Sequence, residues 1–428
     1  MAKILIQNVE IVTDGPDYPK KYIGITDQKI TYIGEAKPEG YEDAYLIDGT
    51  GKVAAAGMVN AHTHIAMTLL RSYADDMALM DWLQNKVWPA EAGLKEGDCT
   101  VGTQLGILEM LQSGTTAYAD MYFFMEETAK VSAETGIRAC LARGLMGEKY
   151  DKEDERLKEN IKLFHDWNGQ ANGRITVMLG PHAPYTCSAD YLRLTADTAK
   201  ELGCSIHIHL AETQQEVKDC VAKNGMTPIQ FVDSLGILDA GCLVAHGVWA
   251  TEEEISLLAA KKARVAHNPQ SNLKLASGIA PVEKMRQKGV VVGLGTDGAT
   301  SNNNLDMLEE TRLTAMLHKT VAYDPLAIPA AAAWDMATYQ GARCIGYENL
   351  GKLEEGFLAD IVLYDMNKPY WHPRHDRLSL LVYAANAGDA DTAIINGKVV
   401  MEKKEVKTLD AEKIYAEADA IARRLTGK

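Results

Sequence analysis

Residues 59–67 read VNAHTHIAM, two histidines one residue apart inside an apolar run. Side chains at i and i+2 of a strand point to the same face, so in an extended backbone His62 and His64 look into one space. Such a pair is either two hydrogen-bonded polar side chains at a strand end or half of a metal site. The second reading needs further ligands elsewhere in the chain and a scaffold that gathers them.

Outward from this strand, short apolar segments alternate with longer amphipathic ones. The strand-like segments are GMVNAH (57–62), TTAYADM (115–121), IRACLA (137–142), ITVMLGP (175–181), SIHIHLA (205–211), CLVAHG (242–247), ARVAHN (263–268) and VVVGLGTD (290–297). Helical spacing fills the gaps, as in SADYLRLTADTAKELG (188–203) and TEEEISLLAAKKA (251–263), the latter opening on a Thr and Glu capping pattern. Eight strand–helix repeats over about 300 residues predict an α/β fold, a (β/α)8 TIM-like barrel whose helices cover the outer face of a parallel sheet. Both chain ends have a different texture. Residues 1–56 and 359–407 read as short strands and turns, with Asn396 and Gly397 as a strong hairpin signal. The expected organisation is an N-terminal part of a small discontinuous β-sandwich (1–56), the barrel (57–355), and the C-terminal part of the sandwich with a terminal helix (356–428).

The chain has 428 residues, 46% hydrophobic and 24% charged, which is ordinary globular composition. A net charge of −15 repels polyanions and argues against nucleic acid or an anionic membrane as partner. The opening MAKILIQNVEIVTDG lacks the apolar core of a signal peptide, and no stretch approaches the roughly 18–20 apolar residues of a membrane span. A cytoplasmic location is expected. Seven scattered cysteines without a CxxC pair argue against a disulfide framework or a thiolate zinc site.

Reactive groups of such barrels sit where the strands end. Those ends carry His62 and His64 (first strand), His182 (fourth), His209 and Glu212 (fifth), His246 (sixth), His267 (seventh) and Asp297 (eighth). Any one of 11 histidines is more often structural than a ligand, but scatter would not concentrate them on one face. Three imidazoles and a carboxylate suit zinc with a position left for water, and the absence of cysteine speaks for a catalytic rather than a structural ion. The candidate ligands are His62, His64, His209 and Asp297. His207 competes with His209 because it shares the same strand face; the later residue is nearer the reactive end. The near-helical apolar spacing of MALMDWLQNKVW reads as packing or a pocket wall, and the Asn-rich 301–304 stretch as a loop and helix cap.

NAHTHI, HIHLAE, HNPQSNLKLASG and GTDGA, in this order and spacing, resemble the amidohydrolase superfamily, in particular its cytosine deaminase and chlorohydrolase branch. The nearest likeness is to the deaminases of 5'-methylthioadenosine and S-adenosylhomocysteine, and it spans essentially the whole chain. The resemblance implies a Zn2+-dependent aminohydrolase with one ion per subunit (Fe2+ being the alternative), a small nucleoside substrate and a homo-oligomer. GPHAPY at 180–185 lacks the lysine that bridges two ions in binuclear members, in agreement with one ion. In the implied chemistry Asp297 takes a proton from water, Glu212 protonates a ring nitrogen and His246 orients the attacking oxygen.

The family pattern also places substrate contacts at Glu91 (ribose hydroxyls), Arg143 and Arg156 (a homocysteine carboxylate) and His182 (the purine ring), beside Glu212 and Asp297. Plain structural readings stand next to these: Glu91 as a first-turn acid after Pro89, Arg156 on a solvated, charge-rich helix face. The alternative functions are an aminohydrolase or chlorohydrolase for guanine, a pterin or a triazine, and a non-catalytic scaffold of the same fold.

Overall fold

The structure is a computed structural model that describes residues 2–15 and 17–427. Five strands lead the chain: β1 (Lys3–Ile11), β2 (Lys21–Thr26), β3 (Lys29–Gly34), β4 (Tyr45–Asp48) and β5 (Lys52–Ala56). Eight follow with helices between them: β6 (Met58–Thr63), β7 (Thr115–Tyr122), β8 (Arg138–Leu145), β9 (Ile175–Pro181), β10 (His207–Leu210), β11 (Leu243–His246), β12 (Arg264–His267) and β13 (Val291–Leu294). The last are β14 (Ile361–Asp365), β15 (Ala390–Ile395), β16 (Lys398–Glu402) and β17 (Glu405–Val406). Each of the eight expected barrel strands is present, with ends shifted by up to three residues.

These eight run parallel in two arcs, β6-β7-β8-β9 and β10-β11-β12-β13. Every residue of β6 and β7 is buried, as expected of strands covered on both faces. One seam between the arcs is joined by a parallel bridge from Leu179 to Ile206. The other is closed largely by a side chain. Asn60 Oδ1 accepts from the Thr296 N–H (3.0 Å), its Nδ2 donates to Thr296 Oγ1 (2.7 Å), and the Asp297 N–H donates to the His62 carbonyl (3.0 Å). Gly295 permits this approach: a Cβ there would lie 2.8 Å from the His62 backbone nitrogen and oxygen. The outer helices begin where the sequence marks them. Ser188 caps Ala189–Leu202, and Thr251 with Glu254 forms a capping box on Glu252–Ala260.

The two chain ends meet in one sheet system, β14 pairing antiparallel with β5. Strand β1 changes partner along its length. Residues 3–6 pair with β2, while Glu10 and Ile11 pair with β5, and the register breaks around Asn8, whose φ is 58°. Ile4, Ile23, Ile47, Ile361, Leu363 and Ile394 thereby share one core drawn from both ends of the chain. The terminal helix Ala411–Thr426 leaves that sheet and lays Ala418 against Leu69 and Val101 of the barrel. Among the described residues no helix is long and apolar enough to cross a membrane.

Barrel and end sheet are locked by a buried ion pair. Arg138, opening β8, donates from Nε and Nη2 to both Asp360 oxygens (3.0 and 2.8 Å), and both side chains are 1% exposed. Removing one partner leaves the other charged and unpaired in a dry environment, at a cost of about 3–5 kcal/mol. Asp360→Ala is expected to lower the urea midpoint by that equivalent, and an unchanged midpoint would show the pair to be dispensable.

Candidate functional site

The C-terminal strand ends gather His62, His64, His209, His246 and Asp297 into one cluster, with Glu212 beside it at the same cavity. His64 donates its Nδ1 proton to the Met121 carbonyl (2.6 Å), and His209 donates its own to the His182 carbonyl (2.8 Å). Those bonds orient both rings and turn their Nε2 atoms towards each other, 3.3 Å apart. With both rings neutral, the two lone pairs at that distance repel unless a proton or a metal ion lies between them. His62 Nε2 is buried without a hydrogen-bond partner, 3.4 Å from Asp297 Oδ1, and His64 Nε2 is 3.3 Å from the same oxygen. Ligand atoms of His62, His64 and His209 lie within 4.8 Å of one another, as do those of His62, His246 and Asp297. An all-nitrogen-and-oxygen donor set, buried and with an orphaned ring nitrogen, fits a divalent metal ion.

Electrostatics agree with that fit. Burial holds His209 far below the usual imidazole range and brings His62 down to about 4, so both stay neutral, the form a metal requires. Burial opposes charge on His64 as well, but the Asp297 carboxylate overrides it and lifts the ring to about 9. Burial alone would raise Asp297. The two facing imidazoles outweigh it and hold the carboxyl well below its ordinary value. The cluster therefore draws positive charge to its centre.

His207 stands behind this group. Its Nε2 meets His62 Nδ1 at 2.8 Å, which leaves the His62 Nε2 towards Asp297. His209, favoured over His207 as a ligand, faces the cluster, and His207 lies behind His62. Asp297 is held by the Gly298 N–H on Oδ1 (2.8 Å) and by the Ser271 and Ser301 hydroxyls on Oδ2 (2.7 and 2.8 Å). Ser271 and Ser301 were legible only as parts of HNPQSN and of an Asn-rich loop. Three turns that deliver these groups, at Ala211, His246 and Asp297, have φ of 52°, 74° and 59°. Left-handed backbone at non-glycine residues costs roughly 1–3 kcal/mol each and concentrates at functional sites.

Glu212 is 4% exposed, and burial pushes its carboxyl upward, with the Asp297 charge adding to the effect. His246 Nε2 lies 3.9 Å from Glu212 Oε2, while its Nδ1 bonds Asn272 Oδ1 at 2.8 Å. The cavity is also lined by Glu91 and His182. Burial lifts the Glu91 carboxyl to about 7 despite a bond from the Tyr122 hydroxyl. Its roof is the segment from Leu79 to Trp88, including Trp82, Leu83 and Val87, which identifies MALMDWLQNKVW as the wall of the site.

A second cavity of about 730 Å³ adjoins the first across Trp88, Glu91, Phe123 and Met146. Arg143 lines it, its guanidinium 5.1 Å from the Phe123 ring centre and its Nε bonded to Glu159 (2.7 Å). Arg156 is not brought there. It pairs with its near neighbour Asp154 at 3.1 Å on the first turn of the helix Glu155–Trp167 and lines neither cavity. The plain reading of a solvated helix face describes it. His267 turns away to His318 (3.2 Å) and does not line the cavity.

A family model described as the amidohydrolase family matches residues 53–400. The 5-methylthioadenosine/S-adenosylhomocysteine deaminase of Pelotomaculum thermopropionicum is 50% identical over the full length of both chains, and that of Dictyoglomus thermophilum is likewise 50% identical over both full lengths. The chain belongs to the amidohydrolase family. Among solved structures, a zinc-bound adenosine deaminase from Xanthomonas campestris superposes with a TM-score of 0.92 at 33% identity, covering 100% of this chain and 99% of that one. An atrazine chlorohydrolase from Arthrobacter aurescens complexed with zinc superposes with a TM-score of 0.88 at 25% identity, over 98% and 100% of the two chains. In this amidohydrolase the orientation of the His62 ring is set by its contact with His207. Loss of a residue that orients a metal-binding histidine typically costs about 10–100-fold in metal affinity. His207→Ala is expected to show that loss in chelator competition with the fold retained; undiminished affinity would remove His207 from the site.

Proposed function

We propose that this amidohydrolase hydrolytically deaminates 5'-methylthioadenosine and S-adenosylhomocysteine, giving the inosine derivatives and ammonia. The observation that carries the reading is one cavity faced by the imidazole cluster, Glu212, His246 and Asp297, opening onto a second cavity that holds Arg143. Relatives of that name, half identical over the full chain, support it. His62, His64, His209 and Asp297 would hold the ion. Zinc is proposed, since the donors are nitrogen and oxygen without sulfur and two similar structures contain zinc. When bound, such an ion acts as a Lewis acid that lowers the pKa of water towards about 7.

The chain's own residues do the rest. Asp297, kept ionised by the facing imidazoles, accepts the first proton of the attacking water and passes it to the departing amine, which leaves as ammonia. Burial favours the protonated form of Glu212, which donates to a ring nitrogen and makes the neighbouring carbon electrophilic. When the tetrahedral adduct collapses, its hydroxyl proton returns to Glu212, so the acid is restored. His246 gives its Nδ1 proton to Asn272 and is left with an Nε2 lone pair that accepts a hydrogen bond from the attacking oxygen. His182 likewise gives its Nδ1 proton to Thr186 (2.9 Å) and turns its other edge to the purine. Glu91 receives the ribose hydroxyls. Arg143 receives the tail carboxylate, and Phe123 and Trp88 face a methylthio group.

A hydrogen-bonded ion pair with a ligand carboxylate is worth about 1.5–3 kcal/mol, or roughly ten- to hundredfold in binding. Arg143→Ala is therefore expected to raise KM for S-adenosylhomocysteine by that factor and leave methylthioadenosine within about twofold; equal losses would contradict the assignment. The function itself is tested by metal content together with ammonia release on a panel of both thioethers, adenosine, guanine and a triazine. Release from guanine or the triazine but from neither thioether would overturn it.

A further inference from the structure

Glu216 is an acid beside the reaction centre that the mechanism above leaves idle. It lies in the first turn of the helix Gln214–Asn224, three residues after the N-cap Thr213, whose hydroxyl accepts from the Glu216 N–H at 3.1 Å. An acid at this position ordinarily reaches back to the N–H of the cap itself. Here it reaches further. Oε1 accepts from the Ala211 N–H (3.0 Å) and Oε2 from the Glu212 N–H (2.7 Å), the two residues that precede the cap.

Those residues form the reversal between β10 and the helix, and Ala211 is in the left-handed region with a φ of 52°. The reversal decides where Glu212 points, because His209 and Glu212 are only three residues apart and both face the cavity. With Glu216 only 9% exposed and Ala211 1% exposed, these N–H groups have no ready access to water, and leaving a buried donor unpaired is unfavourable. The helix does not need the two bonds, since Thr213 already caps it. Burial and the adjacent Glu212 push the Glu216 carboxyl up to about 7, so the bonds are made in a setting that otherwise disfavours the charge.

We propose that Glu216 is a positioning residue for catalysis: its carboxylate clamps the Ala211–Glu212 turn from both N–H groups and so aims the Glu212 carboxyl at the substrate ring. The proposal rests on the reading of Glu212 as the acid of the deaminase. A displacement near 1 Å at a reacting group costs on the order of a hundredfold in rate. Glu216→Gln keeps one acceptor oxygen and turns an NH2 towards the second N–H, which releases half the clamp.

The test uses the metal-loaded full chain, with 5'-methylthioadenosine as substrate and ammonia as readout. For Glu216→Gln the expected result is a kcat lower by roughly ten- to hundredfold, with KM within about twofold of wild type and metal content unchanged. Glu216→Asp, which keeps the charge but shortens the reach, is expected to fall between the two. Thr213→Ala supplies the control for helix stability: it should lower Tm while leaving kcat near wild type. Unchanged kcat in Glu216→Gln and Glu216→Asp, or a loss carried by KM or by metal content, would overturn the proposal. So would a Thr213→Ala variant that loses as much kcat as Glu216→Gln, since that would reduce Glu216 to a helix cap. An inactive wild-type protein would instead sink the functional reading itself.

Discussion

The Nε2 atoms of His64 and His209, 3.3 Å apart with the Nδ1 protons already committed to carbonyls, set the terms for the rest of this molecule. Burying several imidazoles and a carboxylate within 4.8 Å of each other is unfavourable unless their charges and lone pairs are matched by a cation. The surrounding structure is built to hold them in place regardless. Carbonyls of Met121 and His182, the ring of His207 and the hydroxyls of Ser271 and Ser301 each remove one degree of freedom from a group that faces the cavity. These partners come from several different strand ends and loops, which is what two facing arcs of parallel strands make possible.

Around that centre the chain tolerates local strain where it sharpens direction. The left-handed positions Ala211, His246 and Asp297 each lie at or just after the end of a barrel strand and each help deliver a group to the cavity. They persist because neighbouring bonds over-determine them, Glu216 on the first and Asn272 on the second. The apolar roof from Leu79 to Trp88 completes the enclosure and lowers the local dielectric, which strengthens every charge interaction beneath it. Glu91 and Glu212 show the result, both carboxyls raised chiefly by burial.

Much of this was legible in the sequence because it is periodic or punctual. The strand segments and their histidine-bearing ends follow from a two-residue alternation and from apolar runs, and NAHTHI, HIHLAE and GTDGA mark places where short-range spacing fixes which side chains share a face. What was not legible depends on contacts across hundreds of residues. Asn60 closes the barrel against Thr296 with a side chain in place of a strand ladder, and no local pattern records that. His207 and His209 lie on the same strand face, so alternation cannot rank them; the ring of His62, four strands away in the barrel order, does. Arg156 failed in the opposite direction. Its local partner Asp154 is two residues away and satisfies it without any reference to the cavity. Ser271, Ser301 and Glu216 sit within quoted or polar segments whose cap and loop signals mask a second use.

The most direct measurement is anomalous diffraction at the metal edge from crystals of the metal-loaded chain. The expected result is a single peak at about 2.0–2.2 Å from ring nitrogens of His62, His64 and His209 and from an Asp297 oxygen. A peak elsewhere, or imidazole rings of His64 and His209 turned away from one another with no ion between them, would contradict the account.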